Sequence, residues 1–100
     1  MKMYIFIKDS VPDNFAPVVA AHASLACYLA FKDDPEMKAW LAESFRKVTC
    51  LVSDAEYKLA KKSGQYVEFI EDDLDDMPLA LAFKPRKSFP CYFNGFKLYS

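Results

Sequence analysis

Met3-Tyr4-Ile5-Phe6-Ile7, an unbroken apolar run closed by Lys8, is the stretch on which the reading of the fold turns. Aromatic and β-branched side chains with no polar residue between them suit a central strand covered on both faces. Helices are therefore expected on either side of the sheet to which this strand belongs. Asp9-Ser10-Val11-Pro12-Asp13-Asn14 follows with turn and N-cap chemistry. Pro17 then falls in the first turn of a helix, where its missing N–H leaves no bond unmade.

From about Phe15 to Phe31 the pattern is helical but apolar nearly all round. Phe15, Val18, Val19, His22, Leu25, Ala26 and Leu29 form one stripe, and Ala16, Ala20, Ala23 and Cys27 form a second stripe of small residues. Such a helix is buried on two sides. One side meets the sheet, and the small stripe leaves room for another helix, from the chain itself or from a partner subunit. Asp34-Pro35 opens a second helix that runs through Trp40 and Leu41 and ends near Phe45. Val48 to Val52 reads as the next buried strand. Ser53 and Glu56 have the spacing of a capping box, and Gly64 makes a C-cap, so a third helix spans 54 to 63. Tyr66 to Ile70 and Leu79 to Phe83 supply two more strands, and Asn94-Gly95 between aromatic flanks predicts a hairpin. The expected fold is α/β: a single-domain three-layer α-β-α sandwich on a four-stranded mixed, largely parallel sheet. Its element order is βααβαββ, with a C-terminal hairpin or tail. The core occupies 1–85 and the tail 86–100.

Composition narrows the function classes. One hundred residues, 53% of them hydrophobic, bury one core and not two. Thirteen basic and fourteen acidic side chains leave a net charge of -1, so no global field draws in nucleic acid or an anionic membrane. Cys27, Cys50 and Cys91 are odd in number and widely spaced, which argues against a disulfide framework and for a reducing cytoplasm. The N-terminal apolar run is too short for a secretory leader or a membrane span.

Few residues offer chemistry. His22 is the sole histidine; on the apolar stripe of its helix it reads as a core histidine bonded to a backbone group. No serine has a G-x-S-x-G setting. With only Gly64 and Gly95 the chain cannot build a phosphate-cradling loop of the P-loop or Rossmann kind, so no nucleotide cofactor is expected. Glu71-Asp72-Asp73-Leu74-Asp75-Asp76 lacks the ligand alternation and glycine of a calcium loop and reads as a solvated turn without a metal.

Chain length, element order and two local patterns resemble the type II (archaeal and eukaryotic) peptidyl-tRNA hydrolases over nearly the whole chain to residue 85. The family's helix pattern Lys-x-Ala-Ala-Gln-x-x-His-Ala is matched at His22-Ala23, while Phe15 stands at its lysine and Val19 at its glutamine. Its Asp-Ala-Gly-x-Thr run is matched at Asp72, with Leu74 at the glycine and Asp76 at the threonine. In the family the lysine, aspartate and threonine act on the ester joining peptide to tRNA. The resemblance thus implies a divergent member that has lost this set and acts as a binding or homo-oligomeric protein, pairing through the first helix or the C-terminal hairpin. The alternative it implies is an ester hydrolase with Asp72 as general base, Lys8 or Lys84 as substitute cation over the same sheet edge, and His22 in support. The acidic run beside the expected phosphate path disfavours tRNA as a partner. Lys84-Pro85-Arg86-Lys87, with Phe89, Tyr92, Phe93 and Phe96, reads as an edge hairpin packed on its own domain or a partner more readily than as a nucleic-acid surface.

Overall fold

Met3 to Ile7 do form the covered central strand: none of the five is more than 3% exposed. A computed structural model of the chain describes residues 1–71 and 76–99. The strand is β1 (Lys2–Lys8), followed by α1 (Ala16–Phe31), α2 (Pro35–Ala42), β2 (Arg46–Val52), α3 (Asp54–Lys61), β3 (Tyr66–Glu71) and β4 (Met77–Phe83). A 3-10 turn at Cys91–Gly95 and a two-residue β5 (Lys97–Leu98) complete the chain. The sheet has five strands in the order β3-β4-β1-β2-β5, one more than expected. It is mixed, as expected, but mostly antiparallel and not largely parallel: β1 and β2 are parallel neighbours, whereas β1/β4, β3/β4 and β2/β5 are antiparallel.

The pleat of β1 sorts the core into two layers. Met3, Ile5 and Ile7 pack with α1, Met37 and Trp40 of α2, and Ala80 and Ala82 of β4. Tyr4 and Phe6 point the other way, onto Tyr57 and Ala60 of α3 and onto Phe83, Phe93 and Phe96. A strand buried on both faces joins the two layers into one compact body, with a radius of gyration of 12.7 Å, close to the roughly 13 Å of a compact chain this long. No helix among the described residues is long and apolar enough to cross a membrane.

The stripes of α1 face opposite to expectation. Its buried residues are Ala16, Val19, Ala23 and Cys27, one helical face of mostly small side chains that lets the helix lie close against the sheet. The broad stripe points outward, leaving Phe15, Val18, Leu25 and Leu29 between 56% and 67% exposed. The expected side-chain cap of α1 is missing too: Phe15 is its N-cap, and Asp13 instead accepts a hydrogen bond from the Tyr99 hydroxyl at 2.7 Å. α2 starts as expected at Pro35, but it stops at Ala42, because Phe45 adopts φ 51° and returns its N–H to Trp40 O at 2.8 Å.

The capping box of α3 is complete, with Ser53 N–H donating to Glu56 Oε1 at 2.8 Å and Glu56 N–H to Ser53 Oγ at 3.2 Å. Gly64 takes the positive φ of 71° that its C-terminal position requires. The C-terminal hairpin does not form. Asn94-Gly95 lies inside the 3-10 turn, without the positive φ at both residues that a type I′ turn needs. The reason is tertiary: Phe93 inserts among Tyr4, Phe6 and Phe83 with ring centroids 5.2, 4.8 and 5.1 Å away. β5 then pairs with β2, and Tyr99 N–H donates to Thr49 O at 2.9 Å. The tail is thus a wall of the core. Phe93→Ala is expected to destabilise the chain by roughly 3–5 kcal/mol in urea unfolding, and a loss below about 1 kcal/mol would contradict that role.

Candidate functional site

Of the four residues that the sequence puts forward, the three that are described, Lys8, Lys84 and His22, do not come together. Since β4 runs antiparallel to β1, with Ile5 opposite Ala82 and Ile7 opposite Ala80, Lys8 closes β1 at one end of the sheet and Lys84 follows β4 at the other. Strand direction therefore overturns the expectation that both lysines project over the same edge. Glu71 and Met77, the last pair of β3 and β4, lie at the Lys8 end. Asp72, with Asp73 and Asp75, lies outside the described residues.

Lys84 is 3% exposed, and its ammonium sits 3.1 Å from Asp34 Oδ2 and 2.9 Å from Glu36 Oε1. The local sequence explains the two acids. Asp34 is the N-cap of α2, its Oδ1 accepting from the N–H groups of Glu36 at 2.8 Å and Met37 at 3.4 Å, and Glu36 occupies the first turn, where a helix favours negative charge. Glu36 Oε2 also accepts from Lys87 N–H at 3.1 Å. Burial alone would lower the Lys84 ammonium, but its bonds to Glu36 and Asp34 outweigh this and hold it above the usual lysine value. Burial alone would raise Asp34, and the bonds from Lys84 and the two backbone amides outweigh it, so its carboxyl stays below the usual range. The Lys84 bond and the Lys87 amide lower Glu36 likewise. Lys84 is therefore a staple between β4 and the start of α2.

Lys8 lies 3.1 Å from Asp54, which Lys58 also approaches at 3.1 Å, and 4.6 Å from the Tyr57 ring centroid. Hydrogen bonds from Lys8 and Lys58 hold the Asp54 carboxyl below its ordinary value. Tyr57 donates to Glu68 Oε2 at 2.8 Å, with Ala80 O at 3.2 Å, and Lys61 pairs with Glu68 at 2.8 Å. Burial, then the Glu68 carboxylate, pushes the Tyr57 hydroxyl far up, so it remains a donor. These bonds tie α3 to β3 and β4.

His22 is exposed, not in the core, because α1 turns its small residues to the sheet. Its ring rests on Phe69 with centroids 4.3 Å apart. One turn further toward the helix start lies a cavity of about 470 Å³ between α1 and the β3/β4 edge, lined by Val11, Phe15, Val18, Phe69, Met77 and Leu79, with Ser10 and Glu71 also in its lining. A pouch lined mostly by apolar side chains suits an apolar group on a ligand or partner. No group of three His, Cys, Asp or Glu among the described residues is arranged to hold a metal ion. The buried thiols are poor nucleophiles: burial pushes Cys27 up to about 12 and Cys50 up to about 11.

Comparison with protein-family models gives no match for the chain, and comparison with curated proteins gives none.

Sequence reasoning missed the partners of Lys84. Their one signal was the acid pair flanking Pro35, which reads equally well as ordinary helix-start chemistry. Removing the ammonium with Lys84→Met is expected to lower Tm by about 10 °C near neutral pH. The deficit has a defined pH window. The lowered carboxyls contribute stability above their unfolded values and lose it as pH falls through the folded ones, while the raised ammonium contributes below its unfolded value and loses it as pH rises through the folded one. Melts across the pH range should therefore show a deficit that is flat between about 5 and 10 and shrinks beyond both limits. A deficit independent of pH would contradict the staple.

Proposed function

We propose that the chain is a divergent relative of the type II peptidyl-tRNA hydrolases that acts by binding, as a homo-oligomeric domain, and not by cleaving an ester. The observation that carries this reading is the commitment of Lys84 to Asp34 and Glu36, at the opposite end of the sheet from Glu71. Held there, Lys84 is not available at that end of the sheet as the cation that would polarise an ester carbonyl. The order of helices and strands and the placing of His22-Ala23 on α1 support the kinship. The exposed α1 face, with Phe15, Val18, Leu25 and Leu29, supports the oligomeric half, since apolar patches on a small domain tend to be contact surfaces.

The hydrolase reading keeps one observation in its favour: Lys8 closes β1 at the same end of the sheet as Glu71 and Met77. Its general base would be Asp72, with Lys8 as the cation. Single-turnover assays with an N-acetylaminoacyl-tRNA separate the two readings. We expect release no faster than in buffer; release that falls with Asp72→Asn establishes the hydrolase instead. For the oligomer, light scattering of the purified chain is expected to give a mass above that of one protomer, and Val18→Asp with Leu25→Asp to return the monomer without lowering Tm. A monomeric wild-type chain at high micromolar concentration would remove that half.

A further inference from the structure

At the end of the sheet away from Lys8, three cations stand in one rung. Lys2 on β1 is in register with Arg46 on β2 and bridges to Arg86 on its other side. Neighbouring chains in a sheet lie about 4.8 Å apart, and like charges directly opposite each other are destabilising. Lys87 adds a fourth cation, and all four line a cavity of about 410 Å³ whose walls include Tyr4, Phe89, Pro90 and Asn94 but no acid. None of the four forms an ion pair among the described residues. Glu36, the carboxylate whose charge reaches Arg86, is already bonded to Lys84 and to the Lys87 amide.

Arg86 is held ready. Its Nη1 donates to Gln65 Oε1 at 3.0 Å and to the carbonyls of Ser63 and Gly64 at 3.4 Å, and its guanidinium lies 4.6 Å from the Phe89 ring centroid. Its Nε is buried without a hydrogen-bond partner. Arg86 also lines the cavity, and a guanidinium group beside a space without acids invites an acceptor with negative charge. Burial also lowers the guanidinium below its usual value, a cost that a bound anion offsets. Arginine and lysine together around one space are the usual recognition set for phosphate.

We propose that this cavity binds a small phosphomonoester, its phosphate among Lys2, Arg46, Arg86 and Lys87 and its organic part against Phe89 and Pro90. The volume sets the size of the ligand: it lies within the roughly 300–1,000 Å³ typical of small-molecule sites and is far larger than a bare phosphate needs. The site is at the far end of the sheet from Lys8 and Glu71 and does not depend on the kinship proposed above.

Calorimetric titration of the full chain in low-salt, phosphate-free buffer tests this with ribose 5-phosphate, AMP, inorganic phosphate and ribose as probes. Ribose 5-phosphate and AMP are expected to bind, the better of the two revealing whether a sugar or a base completes the ligand, and ribose is expected not to bind. Inorganic phosphate should bind about tenfold more weakly than the better ester. The exposed pair Arg46→Gln with Lys87→Gln should weaken ester binding by about tenfold or more at unchanged Tm. Lys58→Gln with Lys97→Gln, equal in charge change but outside the cavity, should alter it by no more than about twofold. Failure of both esters to bind at millimolar concentration, equal loss in the two double variants, or inorganic phosphate binding as tightly as the esters would each overturn the proposal.

Discussion

Burial of β1 on both faces is the constraint from which the rest of the structure follows. Met3, Ile5 and Ile7 need cover on one side and Tyr4 and Phe6 on the other, so neither helical layer is optional. The layer over Met3, Ile5 and Ile7 must come close, because Ala80 and Ala82 leave little bulk on the neighbouring strand. α1 meets that demand with Ala16, Ala23 and Cys27, and the large side chains of its other stripe are turned to the outside. The opposite layer has only the short α3 to offer, and the C-terminal aromatic residues complete it. Phe93 and Phe96 do there what a longer helix does in a larger domain.

Strand direction, in turn, distributes the chemistry. With β4 antiparallel to β1, the end of β3 at Glu71, the start of β4 at Met77 and the end of β1 share one end of the sheet, while Lys84, Arg86 and Lys87 follow β4 to the other. The first end holds Lys8 with Asp54, the apolar cavity and Glu71. The second holds the Lys84 staple and a rung of unpaired cations. A net charge of -1 hides this arrangement, since nearly equal numbers of acids and bases say nothing about where each kind is placed.

What was legible in the sequence was local. β1, the Ser53 and Glu56 capping box, the Gly64 cap and the Pro35 helix start each rest on a few adjacent residues, and each appears in the structure. What failed depended on distant partners. Asn94-Gly95 carries a strong turn signal, but Phe93 gains more from Tyr4, Phe6 and Phe83 than a hairpin offers. α1 has two apolar stripes, so periodicity alone does not say which one meets the sheet, and the wrong choice took His22 into the core. Lys84 and Asp34 are fifty positions apart, and only the sheet topology brings them together.

If β1 joins both layers into a single unit, the tail opens only when the whole domain opens. Native-state hydrogen exchange followed by NMR reads this directly, through the amides of Phe93, Phe96 and Tyr99, bonded to Pro90, Phe93 and Thr49, beside those of Tyr4 to Ile7 in β1. One shared opening free energy, equal to that of global unfolding, is the predicted result. Tail amides that exchange at a separate, lower level while β1 stays protected would contradict it.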